Sequence, residues 1–586
     1  MSDFVAAKYT MDNMPKGIIP TVTQITAAAT DGGVKIRVQT PEDTTIDGKM
    51  ICSVKGYRIV LKETTAPENE NDGTVIEDVT QLDKYVSTAL EIDGLENGAT
   101  YYVAAFPYSD YFIFNRNIAN VTSFVPQAYI LFGYYDDLTD QNPETKIHYI
   151  EANENFTPAR MVATGGWTEG DWTEENCWFI QYNKPYMVKY DGTIDYELYG
   201  SDYSKKKDGT TVSDASNTSY AGNAMASFPL IWVRRYTQNN RKYHLFCNIQ
   251  LTEGFTAYAH TRNDGSIEPY TWYPMFGGSL ISSKLRSIAN QTQCNTQTGT
   301  AEIAAAKANG TLWNTGYWSI IYLRWELETL LTRSTNKQDA CGYGNYTGGT
   351  AAASLLKTGT QLTGGRFIGY GSSVNKARKF MHTEQQMGAW ERINGLLYVS
   401  GTYRVKSYGE YNETGDGYVN TGLSMSGTSG NYISASTMTD DGEFPTALSG
   451  SSDTYYCCGG WYNAGQVDHA IVGGGCNDGL KCGGAVNVSN LVSASYWSIS
   501  ARPFCKGSYN VSYYEPTQKY YHYCIIEDAT ACCMQGLEFI WEDGSHNYPD
   551  EYPEISEEIT VTGVFETYKE KDDPYLYCRL SNASLH

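Results

Sequence analysis

Charge is scarce in this chain of 586 residues: only 19% of positions are Asp, Glu, Lys or Arg, and the balance is acidic, with 66 Asp and Glu against 43 Lys and Arg. A net charge of -23 repels a phosphate backbone instead of releasing counterions from it, so nucleic acid is not an expected partner. Long apolar runs are lacking as well. No stretch approaches the roughly 18 consecutive apolar residues of a spanning helix, and Met1 to Pro20 holds neither a basic n-region nor an apolar h-region. Neither membrane insertion nor signal-directed export is expected. Cysteine is thin until Cys457 and then crowds, with adjacent pairs at Cys457-Cys458 and Cys532-Cys533 among the 14 in the chain. Buried free thiols, a few late-forming bridges and a metal site all remain open from this pattern.

What is abundant is glycine, at 56 residues, and tyrosine, at 49. That composition points to β-rich surfaces that bind through aromatic and small polar groups, and so to recognition rather than turnover. The length predicts several domains. Residues 1–19 form a tail, expected to anchor the chain. From 20 to 126 short strands alternate with turns: Val34, Ile36 and Val38 interleave with Lys35 and Arg37, and Tyr57, Ile59 and Leu61 interleave with Arg58 and Val60. The segment from Gly94 to Val103, with Leu95 six residues before Tyr101, resembles the E–F corner of a fibronectin type III domain, in which the Tyr hydroxyl satisfies upstream backbone. The position of the family's strand-B Trp is held by Ile36 or Val38.

Residues 127–160, with the acidic turn Tyr134-Tyr135-Asp136-Asp137, read as a linker. Beyond it, 161–505 forms one large domain in which strands such as Cys177 to Tyr182 and Tyr243 to Ile249 alternate with Gly/Ser/Thr/Asn loops. Two helices are expected there. Ala301 to Ala308 is short and Ala-rich; Ser319 to Arg333 places Ile320, Leu323, Leu327 and Leu331 on one face, an amphipathic pattern. Trp390, Trp461 and Trp497, with the strand Leu396 to Val399, argue for a packed fold in the Gly-rich part. A last segment, 512–586, is acidic, with strands at Tyr523 to Glu527, Leu537 to Trp541, Ile559 to Glu566 and Tyr575 to Leu580, and is expected to form a small β-barrel of the OB type. The fold class is thus multi-domain, mainly β with α+β.

The run Val472 to Gly479, followed by Tyr496-Trp497-Ser498-Ile499-Ser500-Ala501-Arg502-Pro503-Phe504, resembles the end of the C-type lectin fold of the formylglycine-generating-enzyme type. Met387-Gly388-Ala389-Trp390-Glu391 is similar to that family's Gly-Asn-Val-Trp-Glu-Trp element, and Arg324-Trp325-Glu326 to its Glu-Ala-Glu-Trp-Glu helix; order and spacing agree as well. The whole arrangement is similar to bacteriophage proteins in which such an ending follows an immunoglobulin-like or fibronectin-like module, some of them targets of diversity-generating retroelements. The resemblance implies a virion fibre or receptor-binding protein, released by host lysis, that attaches to a bacterial cell-surface glycan or protein, contacts other virion proteins and gains avidity as a homo-oligomer, a trimer being favoured. A bacterial surface adhesin and a copper-dependent oxidase are the alternatives. The same resemblance puts the binding face on Trp461, Tyr462, Asn463, Asp468, His469, Asn477, Asp478, Lys481, Asn487, Ser489, Asn490, Ser493, Ser495 and Tyr496, with Tyr462 and Tyr496 exposed and Trp497 in the core.

Catalysis is not expected, and neither is a cofactor. Cys476 and Cys482 stand where the enzyme has its copper-binding pair, but with five intervening residues where the family has four. Asp468 and His469 are neighbours on a strand and point to opposite faces, against an acid–base pair and for a surface or binding role. Asp440, Asp441 and Glu443 lie in a polar loop and read as solvated, or as a weak calcium site, before a glycosidase pair. His522, Cys524, Cys532, Cys533 and Cys578 could supply zinc ligands but match no zinc spacing.

Overall fold

The computed structural model describes residues 21–506, apart from 47, 48, 110, 111, 127 and 253, and beyond them six strands between 512 and 585. The tail 1–19 and the proposed zinc ligands of the last segment lie outside the described residues and side chains. The protein is mainly β.

Residues 25–124 build two main sheets around a shared core, with the small hairpin of Thr44–Ile46 and Lys49–Cys52 beside them. Ile25–Thr30, Gly33–Val38 and Leu90–Asp93 form the first; Thr74–Val79, Val54–Glu63, Tyr101–Ser109 and Val121–Phe124 form the second, in that order. The alternation seen in the sequence is what sorts the faces: Val34, Ile36 and Val38 are buried with Tyr57, Ile59 and Leu61, while Lys35 and Arg37 are exposed. Val60 is buried too, on the opposite face of its strand, with Ala104 and Phe106. Gly32, at φ +62°, makes the tight turn between the first two strands, a backbone conformation that costs glycine nothing. Tyr101 is buried, and its hydroxyl accepts the Glu96 N–H at 3.2 Å.

A second core draws on residues from Phe132 to Phe504. Phe132 to Ala159 contribute to it, which corrects the linker expected at 127–160. Leu131–Asp137 and Ile147–Glu151 are strands of a four-stranded antiparallel sheet with Arg241–Cys247 and Trp232–Gln238. Phe132, Tyr134, Ile147 and Tyr149 are buried, and the acidic Asp136 lies inside, paired with Lys146 at 3.0 Å. Cys177 to Tyr182 is also corrected: it is not a strand but the short helix Trp178–Gln181. Its three leading aromatic and aliphatic residues are consecutive, and a strand buried on both faces reads the same way in sequence.

The two expected helices are present at Gly299–Lys307 and Trp318–Thr332. The longer one is buried on every side, not on one stripe. Ile320, Leu323, Leu327 and Leu331 each contribute roughly 1.5–3 kcal/mol of burial. Its charged side is covered by partners from elsewhere: Glu326 by Arg235 at 2.6 Å, Glu328 by Arg378 at 3.2 Å. Such pairs roughly break even against desolvation, so the apolar stripe holds the helix while the pairs decide which neighbours it meets.

Two larger sheets complete this unit: seven strands running from Asp202–Lys206 to Trp313–Thr315, and eight strands centred on Trp390–Val399 and Val467–Val472. Farther on, Tyr523–Ile526, Gln535–Trp541, Tyr577–Leu585 and Val561–Tyr568 form one four-stranded sheet in that order. Among the described residues that sheet keeps two open edges, so the expected barrel is not closed by these strands.

Candidate recognition face

In the eight-stranded sheet, cross-strand register places Arg392 opposite Ile471, Ile471 opposite Asn487 and Asn487 opposite Trp461. Directly opposed residues share a face, so these four form a row across it. Trp390, two residues before Arg392, shares that face, and its ring meets Trp461 edge-on with centroids 5.2 Å apart.

Arg392, buried, sits at one end of the row as a clamp. Its Nε donates to Glu302 Oε2 at 2.7 Å, its Nη1 to the carbonyls of Leu491 and Val492 at 3.5 and 3.3 Å, and its Nη2 to those of Gln297 and Ala494 at 3.4 and 2.6 Å. The fixed fork of a guanidinium suits it to hold several acceptors at once. Thr296 N–H donates to Tyr496 O at 3.1 Å and Gly299 N–H to Val492 O at 2.8 Å. The loop 491–496 thus has its carbonyls tied inward while Leu491, Ser493, Ser495 and Tyr496 project outward, Tyr496 with 56% of its surface open. Burial pushes the Glu302 carboxyl up to about 7 despite the Arg392 charge.

The other expected binding residues divide. Asn463, Asn477, Ser493 and Ser495 are exposed; Trp461, Asp478, Lys481, Ser489 and Asn490 are half-buried. The Lys481 ammonium lies 5.7 Å from the Trp461 ring centre and 5.6 Å from that of Tyr432, making a small aromatic and cationic patch. Asp478 turns back to accept the Gly475 N–H at 2.8 Å, and Asn490 donates to Asn487 at 3.1 Å. Tyr462, expected to be exposed, is half-buried: its hydroxyl donates to Gly427 O at 2.9 Å and its ring packs edge-on to Tyr398. Trp497 is half-buried, not in the core.

Asp468, His469 and Asn487 are buried and do not belong to an open surface, which corrects their place on the face. Desolvation holds His469 neutral, with its pKa lowered to about 3, and pushes the Asp468 carboxyl up. Asn487 Oδ1 is occupied by Ser489 N–H at 3.0 Å. The residues around Asp468 carried a signal: Ala470-Ile471-Val472 is a continuous apolar run, as in a strand covered on both faces. The Gln297 side of the loop's support and the exposed Leu480 and Leu491 were missed, and nothing in their local sequence marks them.

The motifs of the lectin-like resemblance meet in space. Trp390 pairs with Ile499 and its N–H donates to Ser498 O at 2.8 Å, while the Glu391 carboxylate is ion-paired with Arg502. Arg324, Trp390, Glu391, Ser500 and Arg502 surround a cavity of about 30 Å³. Cys476 and Cys482 are buried free thiols that burial pushes up, which disfavours the thiolate form a copper site uses. Cys177, Cys247, Cys294, Cys341, Cys457 and Cys458 are likewise buried free thiols.

Of the acidic cluster, Asp441 accepts the Ser407 hydroxyl at 2.5 Å, whereas Glu443 is not solvated. It is ion-paired with Lys242 and accepts the hydroxyls of Tyr322 and Tyr456 at 3.0 Å each. Against desolvation, the Lys242 ammonium, with His244 and the Ser436 hydroxyl, holds its carboxyl well below the usual range. Glu443, with Asp136, His244, Glu326, Ser436 and Tyr456, lines a cavity of about 80 Å³ that sequence reading did not anticipate. Its groups come from segments spread between Asp136 and Tyr456, and only folding assembles them.

No family model matches this chain, and no curated protein matches it either.

Proposed function

We propose that this protein is a non-catalytic recognition protein, a virion fibre or receptor-binding protein, that attaches to a bacterial surface glycan or protein through the face formed by Trp461, Lys481 and the loop 491–496. The observation that carries this reading is the Arg392 clamp: an exposed Tyr/Ser/Leu loop is fixed by a buried guanidinium before any ligand arrives. Such preorganisation lowers the ordering cost of binding, and Tyr with small polar neighbours is the chemistry of paratopes.

Two further features support the same reading. The three-plus-four arrangement of strands in residues 25–124, with a Tyr101 hydroxyl accepting backbone N–H, fits a fibronectin type III spacer. The meeting of Trp390, Glu391 and Arg502 fits a C-type lectin fold of the formylglycine-generating-enzyme type. In that fold the signature residues are internal braces, and the face lies on the loops they support. A single site of this kind binds weakly, so a homo-oligomer, a trimer being favoured, supplies avidity.

The test is binding of the purified protein to bacterial cells and to arrays of cell-wall and capsular polysaccharides, with Tyr496→Ala and Trp461→Ala variants beside the parent. Saturable binding that both variants weaken is the expected result. Binding that neither variant changes would move the site elsewhere and end this assignment of the face.

A further inference from the structure

The surface holds a second concave site at the other end of the helix Gly299–Lys307. It is a cleft of about 250 Å³ lined by Arg262, Asn263, Asp264, Lys307, Glu410 and Tyr411, and the buried Trp313, Tyr317 and Phe504 form its floor. We propose that this cleft binds one pyranose unit of a neutral polysaccharide, as a second subsite for the glycan read by the recognition face; the link to that face rests on the function proposed above.

The lining chemistry selects the ligand class. Asn263 Nδ2 donates to Glu410 Oε1 at 2.5 Å, and Lys307 Nζ lies 3.3 Å from Glu410 Oε2. The exposed Glu410 carboxylate keeps further acceptor sites, because a carboxylate offers about four lone-pair positions. Asp264 Oδ1 accepts from the Ser266 N–H and hydroxyl at 2.9 and 2.7 Å. Planar carboxylate and amide groups of this kind present paired acceptors and donors that match adjacent hydroxyls on a sugar ring. Arg262 is neutralised by Glu268 at 2.6 Å, and Lys506 is committed inward, donating to Thr261 O at 3.0 Å with its ammonium 3.9 Å from the Tyr317 ring centre. The remaining Lys307, Asp264 and Glu410 leave no excess of positive charge to attract a polyanion.

Position links the two sites. The first residue of the helix touches the recognition loop through Gly299 N–H and Val492 O, and its last residue, Lys307, lines the cleft. Nine residues at 1.5 Å each span roughly 14 Å, which an extended oligosaccharide can bridge. Two weak subsites on one polymer multiply through effective concentration.

The experiment is calorimetric and saturation-transfer titration of the full chain with maltose, cellobiose and lactose, using Glu410→Gln, Asn263→Ala and Tyr496→Ala variants, each checked for native near-ultraviolet circular dichroism. At least one disaccharide should bind, and both cleft variants should weaken it by about tenfold, the effect of one lost hydrogen bond of ordinary strength. Tyr496→Ala should leave that binding unchanged. Absence of binding by all three sugars, or binding indifferent to both cleft variants, overturns the proposal. Loss of cell attachment in Tyr496→Ala with disaccharide binding intact would support both sites separately. Disaccharide binding together with cell attachment that ignores Tyr496 and Trp461 would keep the cleft and remove the face.

Discussion

Replacing Arg392 with Met keeps much of the buried volume and removes every donor of the clamp. The loss leaves the Glu302 carboxyl, buried to 0% exposure, without its cation and takes one donor each from the carbonyls of Gln297, Leu491, Val492 and Ala494, of which Leu491 keeps the Ala494 N–H and Val492 the Gly299 N–H. Breaking a buried ion pair by removing one member costs about 3–5 kcal/mol. Here the cost depends on pH, and the sign can be worked out. Glu302 has its folded pKa raised to about 7, above its ordinary value, so between pH 4.5 and 7 the folded state holds a proton that the unfolded chain has released. Stability therefore falls as pH rises through that window, by about 1.4 kcal/mol per unit, and levels off above it. Without Arg392 the folded pKa moves higher still, and the fall continues past 7. The variant should thus lose more stability at pH 8.5 than at pH 6. A second change, Glu302→Gln, should recover the pH-dependent part and leave the lost carbonyl bonds. Urea unfolding followed by Trp fluorescence suits the question, because residues 21–126 contain no Trp and stay silent. Amide exchange across 491–496 supplies the local readout. An equal loss at both pH values, with no relief from Glu302→Gln, would refute a charge-based clamp; unchanged exchange in the loop would refute its role in ordering it.

Other expectations are simpler. Tyr101→Phe removes the acceptor of the Glu96 N–H and should lower the stability of the N-terminal unit by about 0.5–1.5 kcal/mol, read from its calorimetric transition. Glu443→Gln strands the buried Lys242 ammonium and should cost about 3–5 kcal/mol, most of it restored by adding Lys242→Met; no restoration would mean the pair is not the source. His260 is buried with neither ring nitrogen partnered among the described residues, and desolvation lowers its pKa to about 3. A depressed folded pKa gives stability that is complete above 6.5 and is lost as pH falls toward 3, so His260→Phe should make the urea midpoint less sensitive to acid in that window.

Much of the fold was legible because it rests on local pattern. The alternation Val34, Ile36, Val38 announced a half-buried strand, and the spacing of Leu323, Leu327 and Leu331 announced the long helix. What that spacing could not reveal was the cover over the helix's other side, since Arg235 and Arg378 arrive from distant segments. The same limit explains residues 131–151. Tyr-rich acidic turns look solvated in isolation, yet Asp136 meets Lys146 inside the protein. On the candidate face, Tyr496 is open as its Ser/Asn-rich loop suggested, because such loops have little to bury, whereas Tyr462 is half-buried. Asp468 and His469 were misread because their polarity was weighed and the apolar run beside them was not.

Scarce charge and a structured, loop-rich domain are two sides of one arrangement. The Glu302–Arg392, Glu326–Arg235, Glu328–Arg378, Glu391–Arg502 and Glu443–Lys242 pairs are all internal, and they join residues 50 to 201 positions apart in sequence. Pairs like these contribute little net stability, because desolvation offsets attraction. Their effect is selective: any packing that separates one partner leaves a buried charge alone, at several kcal/mol, so alternative loop arrangements are disfavoured far more than the native one is favoured. A domain whose connections are long and glycine-rich has few long elements to impose a single geometry, and five internal pairs supply that constraint. The consequence for recognition is direct. The loop 491–496 can vary its outward side chains freely, since none of its anchoring depends on them: Arg392 reads only the carbonyls of Leu491, Val492 and Ala494, which every residue type provides.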